Sequence, residues 1–320
     1  MASKPQVIAL EEHYIDPEVK QHIAGRDRSG GPGIAERLDD VGQGRIAEMD
    51  AAGIDIQVLS HGAPSVQRIE DGELAVRLAR GANDRLAETV RSHPDRFAAF
   101  AMLPTADPKA AADELERAVS RLGFKGAMVH GLAGSLFLDD KRFWPIFERA
   151  QALDVPLYLH PAIPHPAVVE AYYQDYVQKY PNLLRAAWGF TVETATQGIR
   201  MVLSDVFDTY PRLKIILGHL GEGLPFLLWR INMALVRDGA GPSWFRDTFC
   251  EHFWITTSGF FSDPALLCCV QVMGVDRILF SVDYPFVENK PGTDWVHRIP
   301  LCAEDKAKIL SGNVKRLLKM

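Results

Sequence analysis

Four short motifs place carboxylates or histidines at the ends of apolar stretches of the chain. The residues that end these stretches are Glu11-Glu12-His13, His160, His219 and Asp283. Residues i and i+2 of a β-strand point to the same face, so Glu11 and His13 are expected to project together. A carboxylate oxygen and an imidazole nitrogen suit one divalent cation. Because the pattern recurs at several apolar runs, it predicts a metal site at the mouth of a barrel.

Strand-like runs alternate with amphipathic segments along the whole chain. Eight strands are predicted, at 7–13, 54–61, 97–103, 125–130, 155–160, 214–219, 253–258 and 277–283. Segments 71–92 and 108–122 show helical periodicity, and the second is bounded by Asp107-Pro108 and Gly123, which are start and stop signals. Eight apolar strands alternating with helices predict an α/β protein folded as a (β/α)8 TIM barrel.

Two segments are too long for the loops of a minimal barrel. Residues 16–40 follow the first strand, form a candidate lid or subunit contact, and contain Gly25, Gly30, Gly31, Pro32 and Gly33. Residues 161–190 follow the fifth strand and contain Tyr172, Tyr173, Tyr176, Tyr180, Trp188 and Phe190. Both segments follow strands, on the face where barrel active sites form. We interpret residues 1–320 as one barrel domain with these two insertions.

Bulk composition argues against several classes of function. The 320 residues carry a net charge of −6 without a long run of like charge, which disfavours nucleic-acid binding and a polybasic membrane contact. No apolar stretch approaches the ~20 residues that span a bilayer, and the N-terminus lacks the apolar region of a signal peptide. The four cysteines have no C-x-x-C spacing, so we expect buried, reduced thiols in a cytoplasmic protein.

Five of the ten histidines lie at the ends of predicted strands, namely His13, His61, His130, His160 and His219. The best four metal ligands are Glu11, His13, His160 and Asp283, whose two nitrogens and two carboxylates suit Zn²⁺ or Mn²⁺. The alternative for Asp283 is that it caps the following helix. The other five histidines, at 22, 93, 165, 252 and 297, are expected at the surface or in loops.

Other polar residues near the strand ends have two interpretations each. His219 is expected to polarise a substrate or handle a proton, with Glu222 orienting it, although Glu222 can instead simply favour a helix start. His61 and His130 either line the pocket or form structural hydrogen bonds beneath the loops. Arg230 either faces a substrate anion or is an exposed arginine on a helix.

Several motifs resemble the amidohydrolase-2 family. They are Ala-Leu-Glu-Glu-His at 9–13, Pro-Thr-Ala-Asp-Pro at 104–108, Gly-Phe-Lys-Gly-Ala at 123–127, Leu-Tyr-Leu-His-Pro at 157–161, Leu-Lys-Ile-Ile-Leu-Gly-His-Leu-Gly-Glu at 213–222 and Asp-Arg-Ile-Leu-Phe-Ser-Val-Asp-Tyr-Pro at 276–285. Within the family the chain is most similar to the γ-resorcylate (2,6-dihydroxybenzoate) decarboxylases and related hydroxybenzoate decarboxylases. It departs from their pattern at Val129-His130-Gly131, where Val-Asn-Gly is frequent, and in the apolar residues after Arg230.

The resemblance implies metal ligation by the four residues named above, with His219 and Glu222 in the catalytic network and Asp283 delivering a proton. The implied reaction is reversible, non-oxidative decarboxylation of an ortho-hydroxybenzoate, in which the metal chelates the carboxylate and the phenolic oxygen. Trp188 and the aromatic segment would enclose the ring. The expected partners are a small aromatic acid and a second copy of the chain, in a dimer or tetramer that packs through helix 224–236.

Two other functions use the same barrel. A metal-bound hydroxide, formed with help from Asp283 or His219, would hydrolyse an ester, amide or lactone, or would hydrate a substrate. A barrel that only binds a ligand is disfavoured because the set of ligands is intact at three strand ends. The two enzymatic readings differ in the mass of the product, which falls by CO₂ or rises by water.

Overall fold

The computed structural model describes residues 5–23 and 33–320. Within these residues all strand pairs are parallel, in two sheets of order β1-β2-β3 and β4-β5-β6-β7-β8-β9. The strands are β1 (Ile8–Tyr14), β2 (Ile56–His61), β3 (Phe97–Ala99), β4 (Ala101–Met102), β5 (Ala127–His130), β6 (Leu157–His160), β7 (Ile215–Leu217), β8 (Phe253–Thr256) and β9 (Ile278–Leu279).

Backbone hydrogen bonds between the two sheets close them into one barrel. The predicted third strand is divided into β3 and β4 at Phe100, whose N–H donates to Leu59 O at 2.9 Å. At the other junction Leu10 N–H donates to Phe280 O at 3.2 Å, so the last strand pairs with the first. Nine segments therefore fill eight positions of a barrel, and the predicted (β/α)8 fold is confirmed.

Helices connect the strands. The α-helices are Pro17–His22, Ile34–Asp39, Gln43–Ala52, Gly72–Ser92, Pro108–Leu122, Trp144–Leu153, Pro166–Val168, Gln174–Val177, Gly189–Leu203, Val206–Thr209, Leu224–Ala234, Trp244–His252, Asp263–Met273, Asn289–Arg298, Ala303–Ala307 and Asn313–Leu318. Shorter 3₁₀ turns lie at Ser65–Arg68, Lys141–Phe143, Pro181–Leu184 and Val275–Arg277, and π turns at Val169–Tyr173 and Lys308–Gly312. Across the described residues, no helix is both long enough and apolar enough to cross a membrane.

The two helices predicted in most detail have the caps that their sequences indicate. Asp71 precedes helix Gly72–Ser92, and its carboxylate accepts the N–H of Leu74 at 3.1 Å. Asp107 caps helix Pro108–Leu122 in the same way, and this helix ends at Gly123 with φ of 78°. A left-handed glycine satisfies the last carbonyl groups without a steric penalty, so both ends follow from local chemistry.

Side chains of the strands pack in two separate layers. The layer inside the barrel includes Ile8, Leu10, Val58, Phe100, Met128, Tyr158, Ile216 and Leu279. The layer between barrel and helices includes Val7, Ala9, Leu59, Ala99, Val129, Leu159 and Leu217. Alternate residues of each strand thus enter different layers, and both layers exclude water, which explains why the strand sequences are apolar throughout.

His252 and the cysteines differ from the sequence predictions. His252 is buried rather than superficial, because its ring stacks on Phe207 at 4.2 Å and its Nδ1 contacts Leu213 O at 2.9 Å. All four cysteines are free thiols as expected, but only Cys269 is buried, whereas Cys302 is exposed. The prediction that every thiol is buried was therefore wrong.

The two insertions are described to different extents. The first contributes helices Pro17–His22 and Ile34–Asp39, and its expected lid residues Gly25, Gly30, Gly31 and Pro32 lie outside the described residues. The second consists of short helical turns between β6 and helix Gly189–Leu203. Tyr172, Tyr176, Tyr180 and Trp188 are exposed in this chain, whereas Tyr173 is buried. Most of the aromatic segment therefore faces outward.

Candidate metal centre

Glu11, His13, His160 and Asp283 form one cluster whose ligand atoms all lie within 4.8 Å of one another. His13 Nε2 is 3.3 Å from Asp283 Oδ1, and His160 Nε2 is 3.3 Å from Glu11 Oε1. The first three side chains are buried, and the Asp283 side chain is 17% exposed. Glu11 Oε1, His13 Nε2 and Asp283 Oδ1 have no hydrogen-bond partner among the described residues. Buried, converging acceptors of this kind fit a divalent cation.

A β-bulge in β1 turns the Glu11 and His13 side chains toward the cluster. An unbroken strand that places Ile8 and Leu10 inside the barrel would place both ligands on the outer face. Instead, the pairing with β2 shifts by one residue between Ala9 and Glu12, and Glu11 adopts φ of 59°. His13 then pairs with Ser60. The two ligands project together as predicted, but they do so because of the extra residue.

Hydroxyl groups hold one oxygen of Glu11 and leave the other available. The Tyr158 and Ser258 hydroxyls donate to Oε2, and Thr256 Oγ1 lies 3.4 Å from the same atom. Oε1 has no such partner and faces His160. Gly218 packs against this carboxylate so closely that a Cβ there would lie 2.9 Å from Oε2. The Glu11 carboxylate is therefore fixed on three sides before any cation binds.

Contacts of the histidine rings define their tautomers. His160 Nδ1 lies 2.7 Å from Pro161 O, so this nitrogen carries the proton and Nε2 keeps its lone pair for the cluster. His130 Nε2 lies 2.9 Å from His61 O and must likewise donate. His130 Nδ1 is then an acceptor, 3.0 Å from His160 Nδ1. His130 thus orients the ring of a candidate ligand.

His219 and Glu222 meet across a left-handed turn. All five residues of 219–223 have φ between 49° and 77°. This segment is therefore not a right-handed helix. The turn brings His219 Nδ1 within 2.7 Å of Glu222 Oε1, while His219 Nε2 is 3.9 Å from Asp283 Oδ2. Non-glycine residues adopt such backbone only when their surroundings impose it, and such residues cluster at functional sites.

Asp283 also has left-handed backbone, with φ of 72°, and lies four residues beyond the end of β9. The N–H groups on either side of it donate to the carboxylate of Glu12: Val282 N to Oε1 at 2.9 Å and Tyr284 N to Oε2 at 3.3 Å. Glu12 is fully buried on the outer face of β1, beside Gln57. A further hydrogen bond, from Ser281 N–H to Thr257 Oγ1 at 2.9 Å, holds the backbone two residues before Asp283.

Burial and neighbouring charges move the pKa values of the cluster in opposite directions. Burial lowers the pKa of His160 well below its usual value, which keeps its imidazole neutral, as a metal ligand requires. Burial also opposes protonation of His219, but the Glu222 carboxylate raises the pKa of His219 well above its usual value. Although burial alone would raise the pKa of Asp283, the nearby imidazoles of His13 and His219 lower it. The pKa values of Asp283 and His219 are thus shifted in opposite directions.

The remaining predicted site residues have different surroundings. His61 is buried, and its Nδ1 donates to Gly62 O at 2.7 Å. Trp188 lines a largely apolar pocket of about 860 Å³ that also reaches Glu222. Arg230 is exposed on helix Leu224–Ala234. This agrees with the interpretation that it is an exposed arginine on a helix. The substrate-binding roles proposed for these residues stay predictions.

Several residues that support the cluster were not singled out in the sequence. They are Glu12, Arg45, Gln57, Ser60, Gln67, Tyr158, Gly218, Thr256 and Ser258. Glu12 carried a signal, because a second carboxylate beside two ligands in a buried strand needs hydrogen-bond donors of its own. Ser258 and Thr256 carried little signal of a supporting role, because hydroxyl residues at strand ends are common. Their role depends on which strands become neighbours.

Comparison with known proteins gives matches along almost the entire chain. The sequence model of the amidohydrolase family matches residues 13–320. The γ-resorcylate decarboxylase of Rhizobium sp. (strain MTP-10005) is 41% identical over 329 residues, covering 98% of both chains. The γ-resorcylate decarboxylase of Polaromonas sp. (strain JS666) is 42% identical over 326 residues, again covering 98% of both.

Solved structures agree with the sequence comparison. The crystal structure of a 2,6-dihydroxybenzoate decarboxylase in complex with 2,6-dihydroxybenzoate is 41% identical, with a TM-score of 0.90 over 99% of this chain and 100% of the other. A dihydroxybenzoic acid decarboxylase from Polaromonas sp. JS666, with bound manganese and the inhibitor 2-nitroresorcinol, is also 41% identical. Its TM-score is 0.90 over 99% of this chain and 97% of that one.

Proposed function

The chain belongs to the amidohydrolase family, and from that premise we propose that it is a metal-dependent decarboxylase of ortho-hydroxybenzoates. The observation that carries the proposal is identity of 41–42% over 98% of both chains with γ-resorcylate decarboxylases. The cluster of Glu11, His13, His160 and Asp283 supports it, because the same chain contains a site suited to the divalent cation that the chemistry needs.

Glu11, His13, His160 and Asp283 would hold one divalent cation, Mn²⁺ or Zn²⁺. The manganese bound by the Polaromonas relative favours Mn²⁺. When bound, the cation would supply positive charge to attract and stabilise the carboxylate and phenolic oxygens of the substrate. His160→Ala should release most of the metal, measured by elemental analysis of the purified protein. His252→Ala is the matched control, since it removes a buried histidine outside the cluster; equal metal content in both variants would contradict the ligand assignment.

Asp283 is the group placed to give a proton to the substrate. Its carboxylate is the most exposed of the cluster and faces His219 across 3.9 Å. Transfer of its proton to the ring carbon that bears the carboxylate draws an electron pair from the ring and ends aromaticity there. The C–C bond then breaks, its electron pair returns to the ring, and CO₂ leaves. Each turnover thus consumes one proton, which must be returned to Asp283.

His219 and Glu222 are the groups that can return this proton. Glu222 Oε1 accepts the Nδ1–H of His219, so the ring keeps a fixed orientation with Nε2 toward Asp283. The raised pKa of His219 favours its protonated form near neutral pH. A protonated His219 supplies Asp283 with a proton and then recovers one from solvent through its partly exposed side.

Helix Leu224–Ala234 supports a further proposal, that the enzyme is a homo-oligomer. Its outer side exposes Phe226 and Trp229 at 79% and 75%, with Met233 on the same side, and Val236 follows the helix. Large contiguous apolar surface of this kind is typical of subunit contacts. Light scattering of the wild type and of Trp229→Asp tests whether the protein is a homo-oligomer.

We also propose that residues 1–320 form one domain and that the protein is cytoplasmic. The four free thiols support the second of these proposals.

A panel of hydroxybenzoates tests the reaction itself. The Mn²⁺-loaded protein should release CO₂ from 2-hydroxybenzoates, including 2,6-dihydroxybenzoate, but not from 3- or 4-hydroxybenzoate. The latter isomers cannot present both oxygens to one cation, and such positioning is worth several kcal/mol of barrier. The same reactions in ¹⁸O-water distinguish the alternative. Solvent oxygen in the aromatic product without CO₂ release would identify a hydrolase or hydratase and refute the decarboxylase.

A further inference from the structure

Glu12 lies between two candidate ligands in the sequence but faces away from them. The bulge at Glu11 places Glu12 opposite Leu59, on the outer face of β1, where its side chain is fully buried. Its contacts there are with the neighbouring segment that carries Asp283. Oε1 accepts the N–H of Val282, and Oε2 accepts the N–H of Tyr284. Each oxygen therefore holds the N–H of one of the two residues that flank Asp283.

The segment around Asp283 needs such a partner because the regular strand has already ended. β9 ends at Leu279, and the later N–H groups at 282 and 284 are satisfied by a side chain instead of a ladder. Buried N–H groups without acceptors are strongly disfavoured. The φ of 72° at Asp283 is also a conformation that a side-chain-bearing residue keeps only under constraint. Glu12 provides both the acceptors and the constraint.

We propose that Glu12 is a positioning residue for Asp283: its two carboxylate oxygens hold the N–H groups of the residues before and after Asp283 and thereby aim the Asp283 carboxylate at the metal cluster and the substrate. The proposal rests on the proposed function for the role of Asp283. It differs from a general contribution to stability, because it predicts that a change at Glu12 affects the cluster more than the fold.

A buried polar layer behind β1 holds Glu12 in place. Gln57 Nε2 lies 3.5 Å from Glu12 Oε2 and 3.4 Å from Asn289 Oδ1. Arg45 donates to Gln57 Oε1 at 3.3 Å and to His13 O at 2.5 Å, and its guanidinium lies over the Tyr284 ring at 4.7 Å. The same layer thus contacts the backbone of a ligand, His13, and the residue that follows Asp283.

Glu12→Gln is the most specific test. The substitution keeps the shape of the side chain but replaces one acceptor by an NH₂ group that faces a peptide N–H. We expect kcat to fall about 10–100-fold, as for partners of metal ligands, while KM changes little. The dissociation constant for Mn²⁺ should rise by up to about tenfold, because Glu11, His13 and His160 remain. Exchange of the product's ring hydrogen in D₂O, which requires Asp283 but no CO₂, should slow in parallel with kcat.

Glu114→Gln is the matched control. Glu114 is a buried glutamate whose oxygens are held by Asn83 Nδ2 at 2.7 Å and by Arg117, in a network that includes none of the cluster. The same chemical change there should lower the unfolding midpoint without changing kcat, ring exchange or Mn²⁺ affinity. Glu12→Asp is the second variant, because its shorter carboxylate cannot reach the N–H groups of both Val282 and Tyr284, and it should show a smaller loss of the same kind.

Two results would overturn the role of Glu12. One is a Glu12→Gln protein with kcat and Mn²⁺ affinity equal to those of Glu114→Gln; the other, if Glu12→Gln does not fold, is wild-type kcat and Mn²⁺ affinity in Glu12→Asp. Failure of the proposed function has a different signature, which is a wild-type protein that decarboxylates none of the hydroxybenzoates. In that case the comparison of Mn²⁺ affinities alone still decides whether Glu12 positions Asp283.

Discussion

Gly218→Ala should weaken metal binding, although Gly218 is not itself a candidate ligand. Gly218 follows β7, with ordinary extended backbone (φ −71°, ψ −176°) that alanine adopts without strain. The added methyl group would lie 2.9 Å from Glu11 Oε2 and 3.2 Å from both Glu11 Oε1 and the Tyr158 hydroxyl. All of its effect must therefore come from contact with the Glu11 carboxylate and the hydroxyl that holds it.

The size of the effect follows from these distances. Ordinary contact at a Cβ begins near 3.4 Å, so the Glu11 carboxylate has to move by about 0.5 Å. Metal–ligand distances hold to within about 0.2 Å, and the hydroxyls around Oε2 resist the movement. We expect the dissociation constant for Mn²⁺ to rise about 10–100-fold, which corresponds to about 1.4–2.7 kcal/mol.

Competition with a chelator of known affinity measures this constant, and kcat at saturating Mn²⁺ shows how much activity returns. Gly241→Ala is the matched control, because Gly241 has no atom within 4 Å of the added Cβ and no left-handed backbone. Its Mn²⁺ affinity should equal that of the wild type. Gly218→Ala with wild-type affinity would show that the carboxylate of Glu11 is not held where the structure places it, and the reasoning would fail.

Three further predictions concern protons and thiols. Asp283→Asn should keep the fold and lose about 10²–10⁴-fold in kcat, because an amide supplies no acidic proton; activity within tenfold of wild type would remove Asp283 from proton transfer. Burial lowers the pKa of His61 from 6.5 to about 4. As the pH drops through this range, the unfolded chain binds a proton at His61 that the folded protein does not bind, so the free energy of unfolding should fall by about 3 kcal/mol. His61→Phe should show a shallower pH dependence in denaturant titrations, and an unchanged slope would contradict this assignment. A thiol reagent should modify exposed Cys302 quickly and leave Cys269 unmodified, because burial raises the pKa of Cys269 to about 12. Mass spectrometry of the labelled peptides measures both rates, and labelling of Cys269 before Cys302 would contradict the prediction.

The parts of the fold that sequence predicted correctly are those set by local chemistry. Every predicted strand is present, although all but the first are shorter than predicted by about two to five residues, because apolar runs specify burial but not where ladder hydrogen bonds end. Helix Pro108–Leu122 begins and ends where Asp107-Pro108 and Gly123 predict. The four candidate ligands meet because the carboxyl ends of parallel strands always lie at one end of a barrel.

The parts that sequence did not predict depend on non-local packing. The bulge at Glu11 and the left-handed turn from His219 have no signature in residue type, because glutamate, histidine and leucine normally avoid positive φ. His252 looked like a surface histidine because its partner Phe207 comes from a distant segment. The exposure of Trp188 and Arg230 likewise depends on which surfaces other elements, or another subunit, cover.

The closure of the barrel between β1 and the segment after β9 sets the order in which the site can assemble during synthesis. Glu11 and His13 emerge from the ribosome before His160, and Asp283 emerges last of the four. The polypeptide therefore carries an incomplete coordination sphere until its final strand docks beside the first. A cation captured by the finished barrel would join segments that are far apart in the sequence and favour the closed state by mass action. Manganese supply would then affect how long newly made molecules persist, as well as how fast they turn over.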